Sequence, residues 1–206
     1  MFWVFVAAVV VAAVAWRWSS RRWALPCPSL LAVGWNNPHL ARLLFVDRTL
    51  DRIGIQPGQR VLEIGPGPGR LLIPAALRVQ PDGEVVGLDI QPAMIARLLA
   101  GARTAGVTNL VGFVGDAATT APNGQFDVVI LATTLGEIPD RDAALRRCFD
   151  ALKPRGVLSI TEMVPDPHFV SQRAVLRLAE RVGFQHQRTE GSWLSFTANF
   201  VKPGGP

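Results

Sequence analysis

The stretch Val61-Leu62-Glu63-Ile64-Gly65-Pro66-Gly67-Pro68-Gly69 decides how the rest of this chain is read. Arg60–Ile64 is a short apolar run, of strand length rather than helix length. Gly65, Gly67 and Gly69 then permit positive φ and let a ligand come close to the backbone. A helix expected over about residues 70–79 brings its positive end and free amides to the same spot. Strand, glycine turn and helix in that order form a cradle for a nucleotide-like ligand.

Working outward, strands and helices continue to alternate. Strands are expected at 84–88, 110–114, 126–132 and 157–161, and helices at 93–105, 141–152 and 171–182. Residues 184–188 and 194–201 close the series as two further strands. This alternation predicts an α/β fold, a doubly wound and mostly parallel seven-stranded sheet. Ligands of such sheets bind outside the carboxyl ends of the strands. Asp89 stands at the end of the second strand, placed for the ribose hydroxyls of an adenosine, and Asp116 follows the third, placed for an adenine amino group. A dinucleotide fingerprint would put its third glycine at position 70, which is Arg70, and no Gly-Lys-Ser/Thr follows to make a P-loop.

Taken together, these segments resemble the class I S-adenosylmethionine-dependent methyltransferase family. The opening stretch resembles its first motif, with Glu63 as the acidic residue two before the first glycine. Val86-Gly87-Leu88-Asp89, with Gln91 and Met94, resembles the second, and Gly115-Asp116-Ala117 the third. Phe126-Asp127-Val128-Val129-Ile130 and Leu152-Lys153-Pro154-Arg155-Gly156 complete the set, although Arg155 occupies the middle of the usual Pro-Gly-Gly. The resemblance implies S-adenosylmethionine as cofactor, with Gly65, Gly67 and Gly69 along its methionine part. It implies Asp89 and Gln91 at the ribose and Asp116 and Ala117 at the adenine. Glu63, Ile90 and Ala132 are taken with them as cofactor contacts.

The front of the chain has a different character. Residues 1–16, MFWVFVAAVVVAAVAW, carry no charge, and Arg17, Arg21 and Arg22 follow. A secretory signal would carry its positive charges first, so the order favours a retained anchor. Sixteen residues rise about 24 Å as a helix, short of roughly 30 Å of hydrocarbon, a gap that Trp18 and snorkelling arginines narrow. Trp3 at one end and Trp16, Trp18 and Trp23 at the other resemble interfacial aromatic belts, and the positive-inside rule puts the following domain in the cytoplasm. The expected organisation is a membrane-anchor helix at 1–23, single-pass or monotopic, a linker with an amphipathic helix at 24–58, and the cofactor-binding domain at 59–206. The amphipathic helix is expected from Pro38 with Asn37 as N-cap, using Leu40, Leu43, Leu44, Leu50 and Ile53.

Charge bears on the acceptor. Residues 1–60 have a net charge of +5 and residues 61–206 are neutral. A nucleic-acid enzyme more often spreads basic charge over the domain that holds its substrate, whereas basic residues beside an apolar run suit an anionic membrane. Three scattered histidines and two distant cysteines, Cys27 and Cys148, match no metal-ligand spacing. Candidate catalytic groups follow the fourth and fifth strands: Glu137, Glu162 and His168, the last a possible base near neutral pH. The expected acceptor is a membrane lipid or lipophilic small molecule, a phospholipid amine or a quinone-like compound. A non-catalytic cofactor-binding module and a nucleic-acid or protein methyltransferase are the alternatives. The oligomeric state is left open by the sequence.

Overall fold

A computed structural model of the chain describes residues 46–120, 125–164 and 166–204. The anchor, and Leu40, Leu43 and Leu44 of the amphipathic helix, lie outside the described residues. Inside them, α1 (Val46–Ile53) buries Val46, Thr49, Leu50 and Ile53, one face at helical spacing. The order continues with β1 (Arg60–Ile64), α2 (Leu72–Arg78), β2 (Glu84–Asp89), α3 (Pro92–Thr104) and β3 (Leu110–Val114). Next come β4 (Phe126–Ala132), a 3₁₀ turn (Leu135–Glu137), α4 (Arg141–Ala151), β5 (Leu152–Met163), α5 (Gln172–Val182), β6 (Gln185–Ser192) and β7 (Ser195–Val201).

The sheet runs β3-β2-β1-β4-β5-β7-β6. Every strand is parallel to its neighbours except β7, which is antiparallel to both β5 and β6. The inner strands are buried on both faces, as parallel strands under helices must be. Val61, Val85, Val128 and Ile130 face α1, α2 and α3, while Leu62, Leu88, Val129 and Leu131 face α4 and α5. In β4 a register irregularity between Phe126 and Val128 shifts the alternation, so Phe126 joins Val129 and Leu131 on one face. At the amino ends of the strands Asp127 accepts from the Arg60 backbone N–H (2.8 Å) and pairs with the Lys153 ammonium (2.7 Å). That end is stapled; the opposite end is left to the loops. Among the described residues no helix is long and apolar enough to cross a membrane.

Candidate active site

The glycine turn leaves β1 while still pinned to β2, because the Gly65 N–H donates to the Leu88 carbonyl at 2.8 Å. Gly65 and Gly67 have φ of +68° and +54°. They are glycines for different reasons. A Cβ on Gly65 would collide with the Thr134 side chain, whose Oγ1 lies 2.7 Å from that position. A Cβ on Gly67 would meet nothing within 4 Å, so this face of the turn is open to a ligand.

Asp89 ties the turn to the end of β2. One carboxylate oxygen accepts from the Gly67 N–H (3.1 Å), the other from the Gln91 N–H (2.9 Å). Burial raises its pKa above the ordinary carboxylate value, against the pull of those two bonds. Beside it, burial pushes the Glu63 carboxyl up to about 8, with Arg70 opposing and Asp89 reinforcing the shift. Glu63 Oε2 has no hydrogen-bond partner among the described residues. A buried carboxyl oxygen left open, next to an open glycine face and a buried aspartate, fits a cationic, ribose-bearing ligand such as S-adenosylmethionine.

The remaining expected cofactor contacts spread along the same sheet edge. Ile90 is 57% exposed, an apolar surface immediately after Asp89. Asp116 is exposed and caps its own turn, accepting from the Ala118 N–H at 2.8 Å, while Ala117 packs against the core. Ala132 is buried, and its carbonyl accepts from the hydroxyls of Thr133 (2.7 Å) and Thr134 (3.1 Å).

The loop after β4 joins this cradle to a second group. Thr133 has a φ of +54°, an unusual conformation for a β-branched residue, held by its N–H bond to the Thr161 carbonyl (2.8 Å). Arg141 clasps the loop from below, donating to the carbonyls of Leu135 and Gly136, each at 3.0 Å. Gly136 packs so closely on the His168 backbone that a Cβ there would overlap the His168 carbonyl.

Through that contact the three expected catalytic residues come together. His168 Nδ1 lies 3.6 Å from Glu137 Oε1 and 3.7 Å from Asp166 Oδ1. The imidazole is buried, not the exposed loop group that a Pro-rich stretch would also allow. Glu137 is not the cap of α4; Asp140 is, accepting from the Ala143 N–H at 2.9 Å. Glu162 is buried and accepts from the Val170 N–H (3.2 Å). Burial pushes its pKa up to about 8; the Val170 N–H and Arg141 pull it down, and Asp166 and Glu137 push it further up. A cavity of about 320 Å³ adjoins the group, lined by Gly136, Arg141, His168, Phe169, Val170, Ser171 and Ala174. Arg70 and Arg141 were not among the expected site residues. Arg70 fills the position that excludes a dinucleotide fingerprint, and that same position is what sets it against Glu63.

Comparison with known proteins agrees with this geometry. Residues 55–191 match the model of a family described as a methyltransferase domain. The chain is similar to nocamycin O-methyltransferase of Saccharothrix syringae, 39% identical over 58% of this chain and 43% of that protein. It is also similar to the ubiquinone/menaquinone biosynthesis C-methyltransferase UbiE of Shewanella baltica, 32% identical over 61% of this chain and 51% of that one. The chain thus spans about half the length of these curated relatives. Among solved structures, a SAM-dependent methyltransferase from Aquifex aeolicus superposes with a TM-score of 0.78 at 19% identity, covering 86% of this chain and 100% of that one; this shows the fold.

Proposed function

The chain belongs to the methyltransferase domain family, with S-adenosylmethionine as its cofactor, and we propose that it methylates a lipophilic small molecule or lipid at the cytoplasmic membrane surface. The observation that carries this reading is the loop from Thr133 to Glu137, a wall shared by the two halves of the site. At one end Thr134 meets Gly65 of the cradle; at the other Gly136 and Glu137 meet His168 beside the cavity. The two curated relatives are named for a quinone C-methylation and an O-methylation, which supports a small organic acceptor. The uncharged run at 1–16, with arginines behind it, supports attachment to the membrane.

The cofactor, when bound, supplies a methyl group already activated on a sulfonium. The protein's task is then to align an acceptor and manage one proton. Gly65, Gly67 and Gly69 shape the cradle, Asp89 would hold the cofactor's hydroxyls, and the Glu63 carboxyl would answer its positive charge. His168 takes the proton of a phenol, protonated amine or acidic carbon, and Glu137 and Asp166 at 3.6 and 3.7 Å offset the charge it gains. Glu162 holds the Val170 backbone, and Phe169, Val170 and Ala174 keep water from the cavity wall.

The test is to incubate full-length protein with methyl-labelled cofactor and host membranes, then partition the label between organic solvent, water and precipitated macromolecule. The expected result is label in the organic phase, abolished in Asp89→Asn and strongly reduced in His168→Gln. Label confined to macromolecule would sink the lipophilic acceptor. Bound cofactor without transfer to any fraction would put a non-catalytic module in its place.

A further inference from the structure

The turn of the last hairpin is made of Trp193 and Leu194, which are 75% and 43% exposed. Turns favour Gly, Asn, Asp and Ser for physical reasons, and nothing in the packing of this sheet calls for an indole there. The hairpin has a defined position. Ser195 pairs with Met163, and the Val164 N–H donates to the Leu194 carbonyl at 2.7 Å. The tip therefore stands at the carboxyl end of β5, beside the segment that carries His168. Phe169, from the cavity wall, packs edge-on against Phe196 at the hairpin base, 6.2 Å between centroids.

Positive charge begins at the same end. Arg173 lies in the first turn of α5 and Arg177 one turn on, both exposed on one stripe with Arg181. Arg181 pairs with Asp142, whereas Arg173 and Arg177 enter none of the ion pairs among the described residues. α4 packs beside α5 and adds exposed Arg146 and Arg147. Across the two helices the exposed arginines are Arg146, Arg147, Arg173, Arg177 and Arg181, against the acidic residues Asp142, Asp150 and Glu180. An exposed tryptophan and leucine next to uncompensated guanidinium groups is the composition of a surface that sinks into lipid head groups.

We propose that this end of the domain, the Trp193–Leu194 tip with the Arg173 and Arg177 stripe, docks on an anionic lipid bilayer and turns the His168 cavity toward it. The proposal deepens the reading above by giving the acceptor a route from the membrane. It uses the folded domain and not residues 1–23, so each can fail alone. A basic residue near an anionic surface strengthens attachment about five-fold, so losing both arginines weakens the tip's engagement about twenty-five-fold.

The experiment uses the full chain with Cys27→Ser and Ser192→Cys, labelled at position 192 with a polarity-sensitive fluorophore; Cys148 is buried and unreactive. Vesicles of phosphatidylcholine alone, or with a third phosphatidylglycerol, are titrated in. The expected result is a blue shift of the probe on the anionic vesicles. Arg173→Gln/Arg177→Gln should move it to about twenty-five-fold higher lipid, and Trp193→Ser should suppress it, with cofactor affinity unchanged in both. A probe that stays in water while the chain sediments with anionic vesicles would overturn the proposal. An equal shift on both kinds of vesicle would overturn the part assigned to the arginines. Transfer to a detergent-dispersed acceptor is scored separately, and its failure would count against the methyl-transfer reading alone.

Discussion

Gly65→Ala is the substitution whose consequence follows most directly from the geometry. Its φ of +68° costs a residue with a Cβ about 1–2 kcal/mol. The new methyl would also overlap Thr134, whose Oγ1 is 2.7 Å from the Cβ position, and overpacking of this kind costs about 1–3 kcal/mol. The total expected loss is about 2–5 kcal/mol. Thr134→Ala alone removes a hydroxyl bonded to the Ala132 carbonyl at 3.1 Å, worth about 1 kcal/mol. In the double variant the two Thr134 atoms under 3 Å are gone, leaving the backbone term and a tight but tolerable 3.1 Å approach to the residue-134 Cβ, so the two changes should couple favourably by about 1–3 kcal/mol. Urea unfolding of the four proteins, compared at constant slope, measures that coupling. Additivity within about 0.5 kcal/mol would refute the claim that Thr134 is what keeps position 65 a glycine. Cofactor affinity, measured alongside, should fall in Gly65→Ala and recover in part in the double variant.

Arg155 sits at φ +64° and is exposed, so Arg155→Gly should relieve about 1–2 kcal/mol of left-handed strain and forfeit about 0.5–1 kcal/mol to glycine's unfolded-state freedom. The net gain is about 0–1.5 kcal/mol, so a melting temperature unchanged or raised by up to a few degrees is expected, and a clear fall would mean that the position carries no such strain. Glu162, with its pKa near 8 in the fold against 4.5 ordinarily, binds a proton more tightly folded than unfolded. Stability should therefore fall as pH rises from about 4.5 to about 8. Glu63 is shifted the same way. Glu162→Gln keeps an acceptor for the Val170 N–H and should flatten part of that decline; an unchanged slope of urea midpoint against pH would show that the buried acid is already ionised.

The strands β1, β3 and β4 begin and end where the apolar runs do, because each is a short apolar run, closed by Gly65 after β1 and Gly115 after β3, and buried on both faces where it is central. Two strands toward the β6 side of the sheet were less legible. β5 was expected at 157–161 and runs Leu152–Met163, since Lys153-Pro154-Arg155 has the composition of a turn but extends the strand, with the Arg155 N–H donating to the Lys202 carbonyl at 2.9 Å. β6 was expected at 184–188 and runs Gln185–Ser192; as the last strand of the sheet, almost wholly exposed, it has no apolar alternation to announce it. In the site, the glycines, Asp89 and the three acceptor-side candidates were visible as residue types at strand ends. The positive φ of Thr133 rests on its bond to Thr161, a contact between distant segments that no local pattern encodes; the clasp of Arg141 on Leu135 and Gly136 is local in sequence but leaves no periodic signal. The departure at Arg155 was visible; that it marks a left-handed residue was not.

The seam between β1 and β4 joins residues 61–64 to residues 128–131. The proposed cofactor residues on β1 and β2 belong to one half of the chain, and the loop that would wall the site follows β4 in the other. A partly opened molecule, with this seam parted, keeps both sets of residues but not the site they would form together. Cofactor at a hundred times its Kd would therefore add about 2.7 kcal/mol to the closing of the sheet itself. Hydrogen exchange at the β1–β4 ladder should slow with ligand concentration by the same factor as global unfolding, making those amides of β4 that donate to β1 a direct gauge of occupancy.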